Sequence, residues 1–520
     1  MVIDHRLLFF GKTFINWYIS AINTNIQHME GLRPFIDFAL SWYWVPLLIL
    51  YIGVISAILI ENRNPSKTIA WILVIIFIPF LGLILYYFFG QKFVKVQKIK
   101  KINKQQARRL EKQWELLDPV MESFIQNIHD EIGDLSKVFR LMKRERLSSP
   151  TLNNDVRLLV NGEEKFEALK VDLRRAKHSI HMEYYIFQPD HVGLDILNIL
   201  EEKAAEGVVV RLIVDSFGSP DLIKYMRRNK KTGIDFHAFL PVTFTSLANS
   251  NYRNHRKIVV IDGVVGYVGG INISDRYSNT SANRKATYWR DISLRIEGLA
   301  INMLQINFWS SWNQTDGAPF LLEDGYLHMI RKNRAESGEA GVGFVSSDPA
   351  SVGPFNMEAM LIAIGEANQH VRLCTPYYIP SEELERALII AAASGVKVEL
   401  MIPATSDSYF VQHASFSFLK PLLERGVEVL LYQKGFLHAK TMTVDGKLTF
   451  IGTVNLDIRS FYINYEIAAV VSDSSLCLQS EQQFDLDKRD CVVLTLEDWK
   501  NRPRWKRGAD SLCRLMAPLL

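Results

Sequence analysis

The sequence predicts an α/β protein in which two homologous lobes pack around one active site, preceded by an N-terminal two-helix transmembrane hairpin. Three observations carry this prediction. Two long uncharged apolar runs lie near the N-terminus, strands alternate with helices beyond residue 150, and one histidine–lysine motif occurs twice. The elements are justified below in chain order.

The two apolar runs are Trp42–Ile60 and Thr68–Gly90, and neither contains a charged residue. A helix needs about 20 apolar residues to cross about 30 Å of hydrocarbon, so both runs qualify. A pair of buried core helices is the competing interpretation, but two uncharged runs of this length are unusual in soluble cores. A cleaved signal peptide is disfavoured because the first run starts deep in the chain. Residues 41–90 are therefore predicted to form two transmembrane helices.

Basic residues after the second run predict the topology. Lys92–Lys112 carries nine Lys or Arg residues and one acid, Glu111, and such excess positive charge stays on the cytoplasmic side. The predicted location is the cell membrane, multi-pass, with the catalytic part cytoplasmic and the loop Glu61–Lys67 outside. Residues 91–150 are assigned to a basic juxtamembrane helical linker. This linker can be interpreted as lying on anionic lipid or as an ordinary solvated helix.

Residues 1–40 are assigned to an N-terminal extension. Leu7–Ser20 is apolar, but it contains Lys12 and is too short to span a bilayer. We interpret this segment as a helix lying at the membrane interface.

Composition excludes some functional classes. A length of 520 residues allows several units of about 100–200 residues each. The net charge of +4 gives no bulk argument for a nucleic-acid partner. The four cysteines, Cys374, Cys477, Cys491 and Cys513, show no CxxC spacing, so neither a zinc site nor a disulfide framework is predicted.

Beyond residue 150 the pattern alternates between strand and helix. Strand-like runs occur at Val156–Val160, Ser179–Ile186 and Val208–Val214, and helical runs at Phe166–Ala176 and Gly193–Ala205. The second half repeats this order. EYYIFQ (183–188) corresponds to TPYYIP (375–380), and AAEGVVVRLIVD (204–215) corresponds to AASGVKVELMIP (392–403). We assign lobe 1 to residues 151–330 and lobe 2 to residues 331–520.

The repeat is tightest in the stretches NHRKIVVIDG (254–263) and LHAKTMTVDG (437–446). Both continue with equal spacing into the pattern HxKx4DGx5Gx2N. Its polar members are His255, Lys257, Asp262 and Asn272 in lobe 1, and His438, Lys440, Asp445 and Asn455 in lobe 2. One HxKx4D match is a weak signal, whereas two copies with glycine and asparagine in equal register are a strong one.

The residue types in this pattern suit phosphodiester chemistry. In a strand, residues i and i+2 share a face, so each His and Lys should point the same way. The Asp-Gly pair predicts a tight turn into a neighbouring strand, which brings Asn272 or Asn455 beside them. Lysine and asparagine can then hold phosphate oxygens, one imidazole can attack phosphorus, and the other can act as general acid and base.

The two halves are chemically alike, so these residues alone leave the roles of His255 and His438 interchangeable. No cluster with metal-ligand spacing is found elsewhere, and neither a metal nor another cofactor is predicted. The other histidines, among them His181, His237, His370 and His413, are interpreted as surface or satisfied core residues.

These stretches resemble the phospholipase D superfamily and, within it, the bacterial cardiolipin synthases. The likeness covers roughly residues 45–520, and it is carried by ENRNPSKTIAWILV, EYYIF, NYRNHRKIVVIDG, GGIN, WRD, GFLHAK, GTVNLDIRSF, NYE and RLMAPLL. The first and last of these stretches are not shared by nucleases of the superfamily. The sequence departs from the family pattern at Asp275–Tyr277 (DRY), which we interpret as touching no catalytic role.

The resemblance implies transfer between two phosphatidylglycerol molecules, giving cardiolipin and glycerol. It implies His255 as the nucleophile that takes up the phosphatidyl group and His438 as the general acid and then base. Lys257, Lys440, Asn272 and Asn455 would bind the phosphate. The implied partners are phosphatidylglycerol and anionic membrane lipids in a membrane-embedded protein, without nucleic acid.

Two acids complete the implied site. Asp291 (in WRD) and Glu466 (in NYE) are expected to orient the histidine of the opposite lobe, which predicts the pairs Asp291–His438 and Glu466–His255. Asp262 and Asp445 are counted with the catalytic residues as members of the motif, although we expect them to fix local structure.

Other functions use the same residues. A phospholipase D-type hydrolase, or a transphosphatidylase with a different acceptor, differs only in which nucleophile takes the phosphatidyl group. A membrane-tethered nuclease is disfavoured because no basic groove interleaved with aromatic residues is apparent. An inactive membrane scaffold is disfavoured because both motifs are intact.

Overall fold

The structure, a computed structural model, describes residues 38, 41–42, 44–60, 65–78, 80–86, 115, 118–144, 150–229, 233–241, 251–279, 287–315 and 338–517. The chain divides into two compact units, Met1–Gly90 and Gln91–Leu520. The predicted interfacial helix Leu7–Ser20 and the basic stretch Lys92–Lys112 lie outside the described residues, as does the predicted boundary between the lobes.

Among the described residues of the N-terminal unit there are three helices, α1 (Trp44–Ile60), α2 (Pro65–Phe77) and α3 (Leu81–Leu85). The second apolar run therefore forms two helices where the sequence predicts one. Pro79 follows the end of α2 in the sequence, and proline lacks the N–H that continues a helix and restricts the residue before it. Within the described part of the chain, no helix is both long and apolar enough to cross a membrane.

The second unit is an α/β structure. Its strands are β1 Thr151–Val160, β2 Ser179–Tyr184, β3 Val209–Asp215, β4 Asp235–Phe239, β5 Ile258–Ile261, β6 Val265–Gly269, β7 Trp289–Arg290, β8 Ile292–Gly298, β9 Ala340–Ser347, β10 His370–Cys374, β11 Tyr378–Ile379, β12 Lys397–Pro403, β13 Glu428–Tyr432, β14 Phe436–Leu437, β15 Thr441–Val444, β16 Leu448–Gly452, β17 Leu456–Asp457, β18 Glu466–Ser472 and β19 Cys491–Leu494.

The helices of this unit lie between the strands and at both ends. They are α4 118–132, α5 Lys137–Arg144, α6 Asn161–Arg175, α7 His191–Ala205, α8 Pro220–Arg228, α9 Ala300–Trp312, α10 Phe355–Gly365, α11 Glu382–Ala393, α12 Tyr409–Ser417, α13 Leu419–Glu424, α14 Ile458–Tyr462, α15 Ser474–Lys488, α16 Leu496–Asn501 and α17 Arg504–Arg514. The five elements that the sequence predicts in lobe 1 are all present, with ends shifted by a few residues.

Fifteen strands form one continuous sheet, in the order β19-β13-β12-β10-β15-β16-β18-β9-β1-β8-β6-β5-β2-β3-β4. The order is symmetric about its centre. From β1 outward, lobe 1 runs β1-β8-β6-β5-β2-β3-β4, and from β9 outward, lobe 2 runs β9-β18-β16-β15-β10-β12-β13 with β19 added at the edge. The lobes join where β1 pairs antiparallel with β9, at Thr151 with Val342 and Asn154 with Ala340.

The Asp-Gly turns of the two motifs fold alike. Each connects an antiparallel pair, β5 with β6 and β15 with β16. Asp262 and Gly263 have φ of 54° and 67°, and Asp445 and Gly446 have φ of 53° and 64°. Two successive positive φ angles define the type I′ hairpin turn, which Asp-Gly favours. The predicted hairpins are therefore confirmed.

In the second unit the described buried apolar residues form one shared core and two separate ones. On one face of the sheet the core runs through both lobes, from Ile258 and Val260 in β5 to Ile467 and Ala469 in β18. All residues of α9 are buried in this region. On the opposite face each lobe has a core of its own. The shared core explains how two lobes can hold a site between them rigidly.

Candidate active site

Each motif histidine is fixed by the backbone of the other lobe. The N–H of His255 donates to the carbonyl oxygen of Tyr465 at 2.9 Å, and the N–H of His438 donates to the carbonyl oxygen of Arg290 at 2.7 Å. Tyr465 directly precedes Glu466 and Arg290 directly precedes Asp291. The backbone therefore places each acid next to the histidine of the opposite lobe.

Both predicted histidine–acid pairs are present. The Nδ1 atom of His255 lies 3.0 Å from Oε2 of Glu466, and Nδ1 of His438 lies 2.6 Å from Oδ2 of Asp291. Both carboxylates are buried. An imidazole whose Nδ1–H is held by a carboxylate presents Nε2 as its reacting nitrogen. The geometry thus fits the orienting role, which stays a prediction.

The acid of lobe 2 is held by side chains that the sequence argument missed. The hydroxyl of Thr453 accepts from the N–H of Ile467 at 3.0 Å and bonds Oε2 of Glu466. The Nδ2 atom of Asn464 donates to Oε1 of Glu466 at 3.2 Å. Glu466 is therefore fixed on both of its oxygens.

The acid of lobe 1 is held by the backbone. Oδ1 of Asp291 accepts the N–H of Ile292 at 2.8 Å. A Cβ atom added to Gly270 would lie 2.2 Å from the same Oδ1, so only glycine leaves room for this carboxylate. Gly270 and Thr453 occupy equivalent positions, each one residue after the motif glycine.

The two lysines are bonded back to their own motifs. Nζ of Lys257 donates to the carbonyl oxygen of His255 at 2.7 Å, and Nζ of Lys440 donates to that of His438 at 2.5 Å. An ammonium group has three N–H donors, so each lysine retains donors for a phosphate. Burial lowers the pKa of Lys440 to about 8 and holds that of Lys257 well below its ordinary value.

The two motifs are close enough to affect each other's pKa values. Burial lowers the pKa of His438 to about 3, and the charges of Lys440 and Lys257 act in the same direction. Burial also lowers the pKa of His255, with contributions from the same two lysines. The lysine of the opposite lobe therefore lowers the pKa of each histidine, and the lowered pKa values favour neutral imidazoles at neutral pH.

The carboxylates remain ionised beside these neutral rings. Burial alone would raise the pKa of Asp291, but Lys440 and His438 outweigh burial and hold it below its ordinary value. For Glu466, burial is likewise outweighed by His255, Lys257 and the Thr453 hydroxyl.

The two asparagines are not equivalent. Oδ1 of Asn272 accepts from the N–H of Ile186 at 3.1 Å, and its Nδ2 lies 2.5 Å from the hydroxyl of Tyr277. Oδ1 of Asn455 is buried without a hydrogen-bond partner among the described residues. Tyr277 of the Asp275–Tyr277 stretch thus contacts a predicted phosphate ligand, and the interpretation that the departure from the family pattern touches no catalytic role stays a prediction.

Aromatic rings enclose the two histidines unequally. The ring of His438 lies 5.2 Å from Trp289, 5.8 Å from Tyr277 and 5.8 Å from Phe436, measured between centroids. The ring of His255 lies 5.0 Å from Tyr185. In the sequence these aromatic residues are typical of core strands, and no spacing marks them as site residues.

A buried lysine outside the motifs also lies near the site. Nζ of Lys165 donates to the carbonyl oxygen of Ile271 at 2.5 Å, next to Asn272. It lies 5.0 Å from the centre of the Tyr184 ring. Burial lowers its pKa to about 7. The position of Lys165 corresponds to Asn356 in lobe 2. Because the two residues differ, a comparison of the two halves does not mark Lys165 as a site residue.

Asp262 and Asp445 lie in the turns of the two hairpins. The carboxylate of Asp262 accepts the N–H groups of Lys177, His178 and Ser179 at 2.7–2.8 Å. Asp445 accepts those of residues 368–370 at 2.7–2.9 Å. Four strand residues lie between each Asp and its motif lysine, so the two are five steps apart along the strand, or about 17 Å at 3.3 Å per residue. These contacts fit the structural role that the sequence analysis expects for both aspartates, and that role stays a prediction.

The four histidines that the sequence analysis sets aside have partners of their own. His181 contacts Gln305, His237 contacts Asp235, His370 contacts Glu481 and His413 contacts Asp510. In the described part of the chain no group of three or more His, Cys, Asp or Glu side chains could hold a metal ion.

Comparison with known proteins identifies the family. Residues 169–287 and 360–488 match the family described as "Cardiolipin synthase, PLD-like domain", and residues 47–91 match "Phospholipase_D-nuclease N-terminal". The cardiolipin synthase of Oceanobacillus iheyensis is 37% identical over 90% of this chain and 96% of its own length. The chain belongs to the cardiolipin synthase family. The predicted superfamily, and the prediction of an enzyme of the phosphatidyltransferase class with cardiolipin synthase function, are thereby confirmed.

Other members of the cardiolipin synthase family and one solved structure agree. The cardiolipin synthase of Halalkalibacterium halodurans is 35% identical over 92% of this chain and 93% of its own length. The crystal structure of phosphatidylserine synthase from Haemophilus influenzae superposes with a TM-score of 0.55 and 16% identity, covering 70% of this chain and 93% of that one. This likeness shows the fold, and it confirms the predicted α/β architecture of two lobes.

Proposed function

We propose that the chain transfers a phosphatidyl group from one phosphatidylglycerol to another at the cell membrane, releasing glycerol. The observation that carries the proposal is the pair of imidazoles, each held at Nδ1 by a buried carboxylate of the opposite lobe. Two such groups in one pocket are what a double displacement at phosphorus needs, one to bond phosphorus and one to move protons.

In the first step Nε2 of neutral His255 attacks the phosphorus of the donor. The N–P bond forms while the bond between phosphorus and the glycerol oxygen breaks. Protonated His438 gives its Nε2 proton to that oxygen, and glycerol leaves. Glu466 stabilises the charge that develops on the His255 ring, because its carboxylate lies 3.0 Å from Nδ1.

In the second step the headgroup hydroxyl of another phosphatidylglycerol attacks the phosphohistidine. Its proton passes to Nε2 of His438, the new O–P bond forms, and the N–P bond breaks. His255 returns to its neutral state and His438 to its protonated state. Every proton released in one step is therefore used in the other.

The phosphate itself controls the protonation of His438. Burial and the two lysines lower the pKa of this imidazole to about 3, so the protein alone favours the neutral ring. A phosphodiester brings a negative charge between Lys257 and Lys440 and opposes their effect, so it raises the pKa of the ring. His438 becomes an acid only once a substrate is bound. Lys257, Lys440, Asn272 and Asn455 hold the phosphate oxygens in this proposal.

The identity of the acceptor separates this function from its alternatives. Water in place of the second phosphatidylglycerol gives phosphatidic acid, the product of a hydrolase. Support for lipid transfer comes from the family and from the enclosed position of His438, because the three rings around it limit the approach of water.

We also infer a membrane location, with residues 41–90 as the anchoring segment and the catalytic unit on the cytoplasmic side. Support comes from the match of residues 47–91 to the N-terminal family and from the exposed apolar side chains of this segment. Ile49, Ile60 and Phe77 are among its many exposed apolar residues. An apolar surface of this kind needs cover by lipid or protein. The basic stretch Lys92–Lys112 favours cytoplasmic placement.

The proposal is tested by incubating the purified full chain, with a chelator present, in vesicles of phosphatidylglycerol and phosphatidylcholine. The lipids are then measured by mass spectrometry, beside a His255→Ala variant and a control in which His237, bonded to Asp235, is changed to Ala. We expect cardiolipin and equimolar glycerol from the wild type and the control, and neither from His255→Ala. Phosphatidic acid as the main product would instead establish a hydrolase.

A further inference from the structure

Helix α17 carries its large apolar side chains on the solvent side. Trp505, Leu512 and Leu515, in and directly after the helix, are 66%, 67% and 77% exposed. Residues seven and ten positions apart share a helix face. These three residues therefore form one apolar stripe, which Met516 extends. A stripe of this kind normally faces the core of its own protein.

The inward face of α17 is polar and firmly held. Asp510 is buried, with Oδ1 lying 2.6 Å from Nδ1 of His413 and Oδ2 accepting from Nη2 of Arg502 at 2.5 Å. Cys513 packs into the core of lobe 2. These contacts fix the rotation of the helix, so the apolar stripe cannot turn inward without breaking a buried ion cluster.

The apolar stripe is flanked by basic residues of its own helix. Arg504, Lys506, Arg507 and Arg514 belong to α17, and its only acid is the buried Asp510. Exposed apolar residues flanked by lysine and arginine are typical of helices that lie on anionic lipid. Each basic residue near such a surface adds about 1 kcal/mol of attraction.

A chain of contacts joins this surface to the active site. The ring of Tyr409 lies 4.3 Å from that of His413, and Tyr409 and its neighbour Phe410 are both exposed. Asp407 accepts from the hydroxyl of Tyr377 at 2.9 Å. The ring of Tyr377 lies 6.4 Å from that of Phe436, which borders His438.

We propose that Tyr409, Phe410, Trp505, Leu512, Leu515 and Met516, with the basic residues of α17, form a C-terminal docking surface for an anionic bilayer. The bilayer is the occupant that the charge favours, because a second copy of this surface would bring like charges together. The proposal rests on the proposed function. It adds that the catalytic unit itself binds the membrane, so that a bilayer lipid can reach the aromatic side of the site.

The first test separates lipid delivery from chemistry. The full-length triple variant Trp505→Ser, Leu512→Ser, Leu515→Ser is compared with wild type on two substrates, phosphatidylglycerol in reconstituted vesicles and a short-chain phosphatidylglycerol dispersed as monomers. The matched control replaces exposed apolar residues on other helices, Ile390→Ser and Leu478→Ser. We expect the triple variant to lose about fivefold to tenfold in vesicles and nothing on monomers, and the control to lose neither.

Equal loss on both substrates would overturn the docking surface. If the wild type forms cardiolipin from neither substrate, the proposed function is contradicted instead, so the two failures are distinct.

The second test reads the surface directly. An environment-sensitive dye is attached to Ser511→Cys in the full chain, with Cys491→Ser removing the least buried native thiol, and a control dye is placed at Ser475→Cys. We expect a blue shift at position 511 in vesicles containing phosphatidylglycerol, a smaller one in pure phosphatidylcholine, and none at position 475. If the dye at position 511 already reports an apolar environment in detergent, the surface is covered by another part of this chain. If its emission responds to protein concentration instead of lipid, the surface is covered by a second copy. Either result would overturn the proposal.

Discussion

The two halves of the active site share a motif but differ in what surrounds it. In both, the histidine meets a buried acid of the opposite lobe and the lysine bonds its carbonyl oxygen. Around His255 the acid is a glutamate held by Thr453, and around His438 it is an aspartate seated against Gly270. The two lobes therefore share their histidine and lysine, but they differ in the acid and in the residue that holds it.

This difference bears on which histidine does what. His438 lies among three aromatic rings, whereas His255 lies beside Tyr185. An enclosed imidazole whose charge depends on a bound phosphate suits proton transfer, because its pKa can change with occupancy. A less enclosed neutral imidazole suits attack on phosphorus. The comparison therefore favours, on physical grounds, the same roles that the family resemblance implies.

The sharpest way to break the comparison is to remove each imidazole in turn. His255→Asn and His438→Asn should each reduce cardiolipin formation by at least about 10⁴-fold. They should differ with a phosphatidyl p-nitrophenyl donor, whose leaving group needs no proton. We expect His438→Asn to release one p-nitrophenol per enzyme in a burst and to retain a phosphatidyl adduct on His255, visible in the mass of the intact protein. A burst from His255→Asn would exchange the two roles.

Neutralising the acids is expected to have the next largest effect. Asp291→Asn and Glu466→Gln should each lower kcat by roughly 10²–10⁴-fold, because the paired imidazole loses its tautomer and the partner of its positive charge. Thermal unfolding of the full chain in detergent should change little, since both replacements keep their shape. Near-normal turnover in either variant would remove that acid from the site.

A smaller effect is expected when only the hydroxyl group that holds Glu466 is removed. Thr453→Val removes the hydroxyl that bonds Glu466 and should lower kcat by about threefold to tenfold. It should also move the acidic limb of the pH profile upward, because loss of this bond raises the pKa of the carboxylate. Thr443→Val is the matched control, since this buried hydroxyl has no partner within the described residues. Equal losses in the two variants would point to packing and not to Glu466.

The smallest effect on catalysis is expected at the turns, where the two lobes are alike. Asp262→Ala and Asp445→Ala should each lower the free energy of unfolding by about 1–3 kcal/mol, because three backbone N–H groups lose their acceptor. The kcat of the remaining folded enzyme should stay within about twofold. Loss of activity at unchanged stability would instead show that these aspartates take part in the reaction.

Local spacing explains why much of this site is visible in the sequence. His, Lys and Asn stand at fixed offsets within one hairpin, and Asp-Gly specifies its turn, so a short pattern determines their relative positions. Thr453 and Gly270 stand in the same hairpins, yet they differ between the copies, and a search for matching letters passes over both. Their roles depend on which acid arrives from the opposite lobe.

Long-range pairing explains most of what the sequence argument missed. The sheet is continuous because β1 pairs with β9, and nothing in the local pattern of Thr151 or Ala340 specifies that partner. The three rings around His438 come from both lobes, Tyr277 and Trp289 from lobe 1 and Phe436 from lobe 2. Taken alone in the sequence, each of these residues predicts only a core position. The break in the second apolar run could have been predicted from the sequence, because proline at position 79 disfavours a continuous helix.

The exchange of backbone hydrogen bonds between the lobes has a consequence for biosynthesis. His255 receives its backbone acceptor and its acid from residues more than 200 positions later, and His438 receives its own from lobe 1. A nascent chain that has finished only its first lobe therefore holds a histidine without an orienting partner. Such an unfinished chain would be unable to cleave the lipids beside it, so catalytic competence and completion of the fold arrive together.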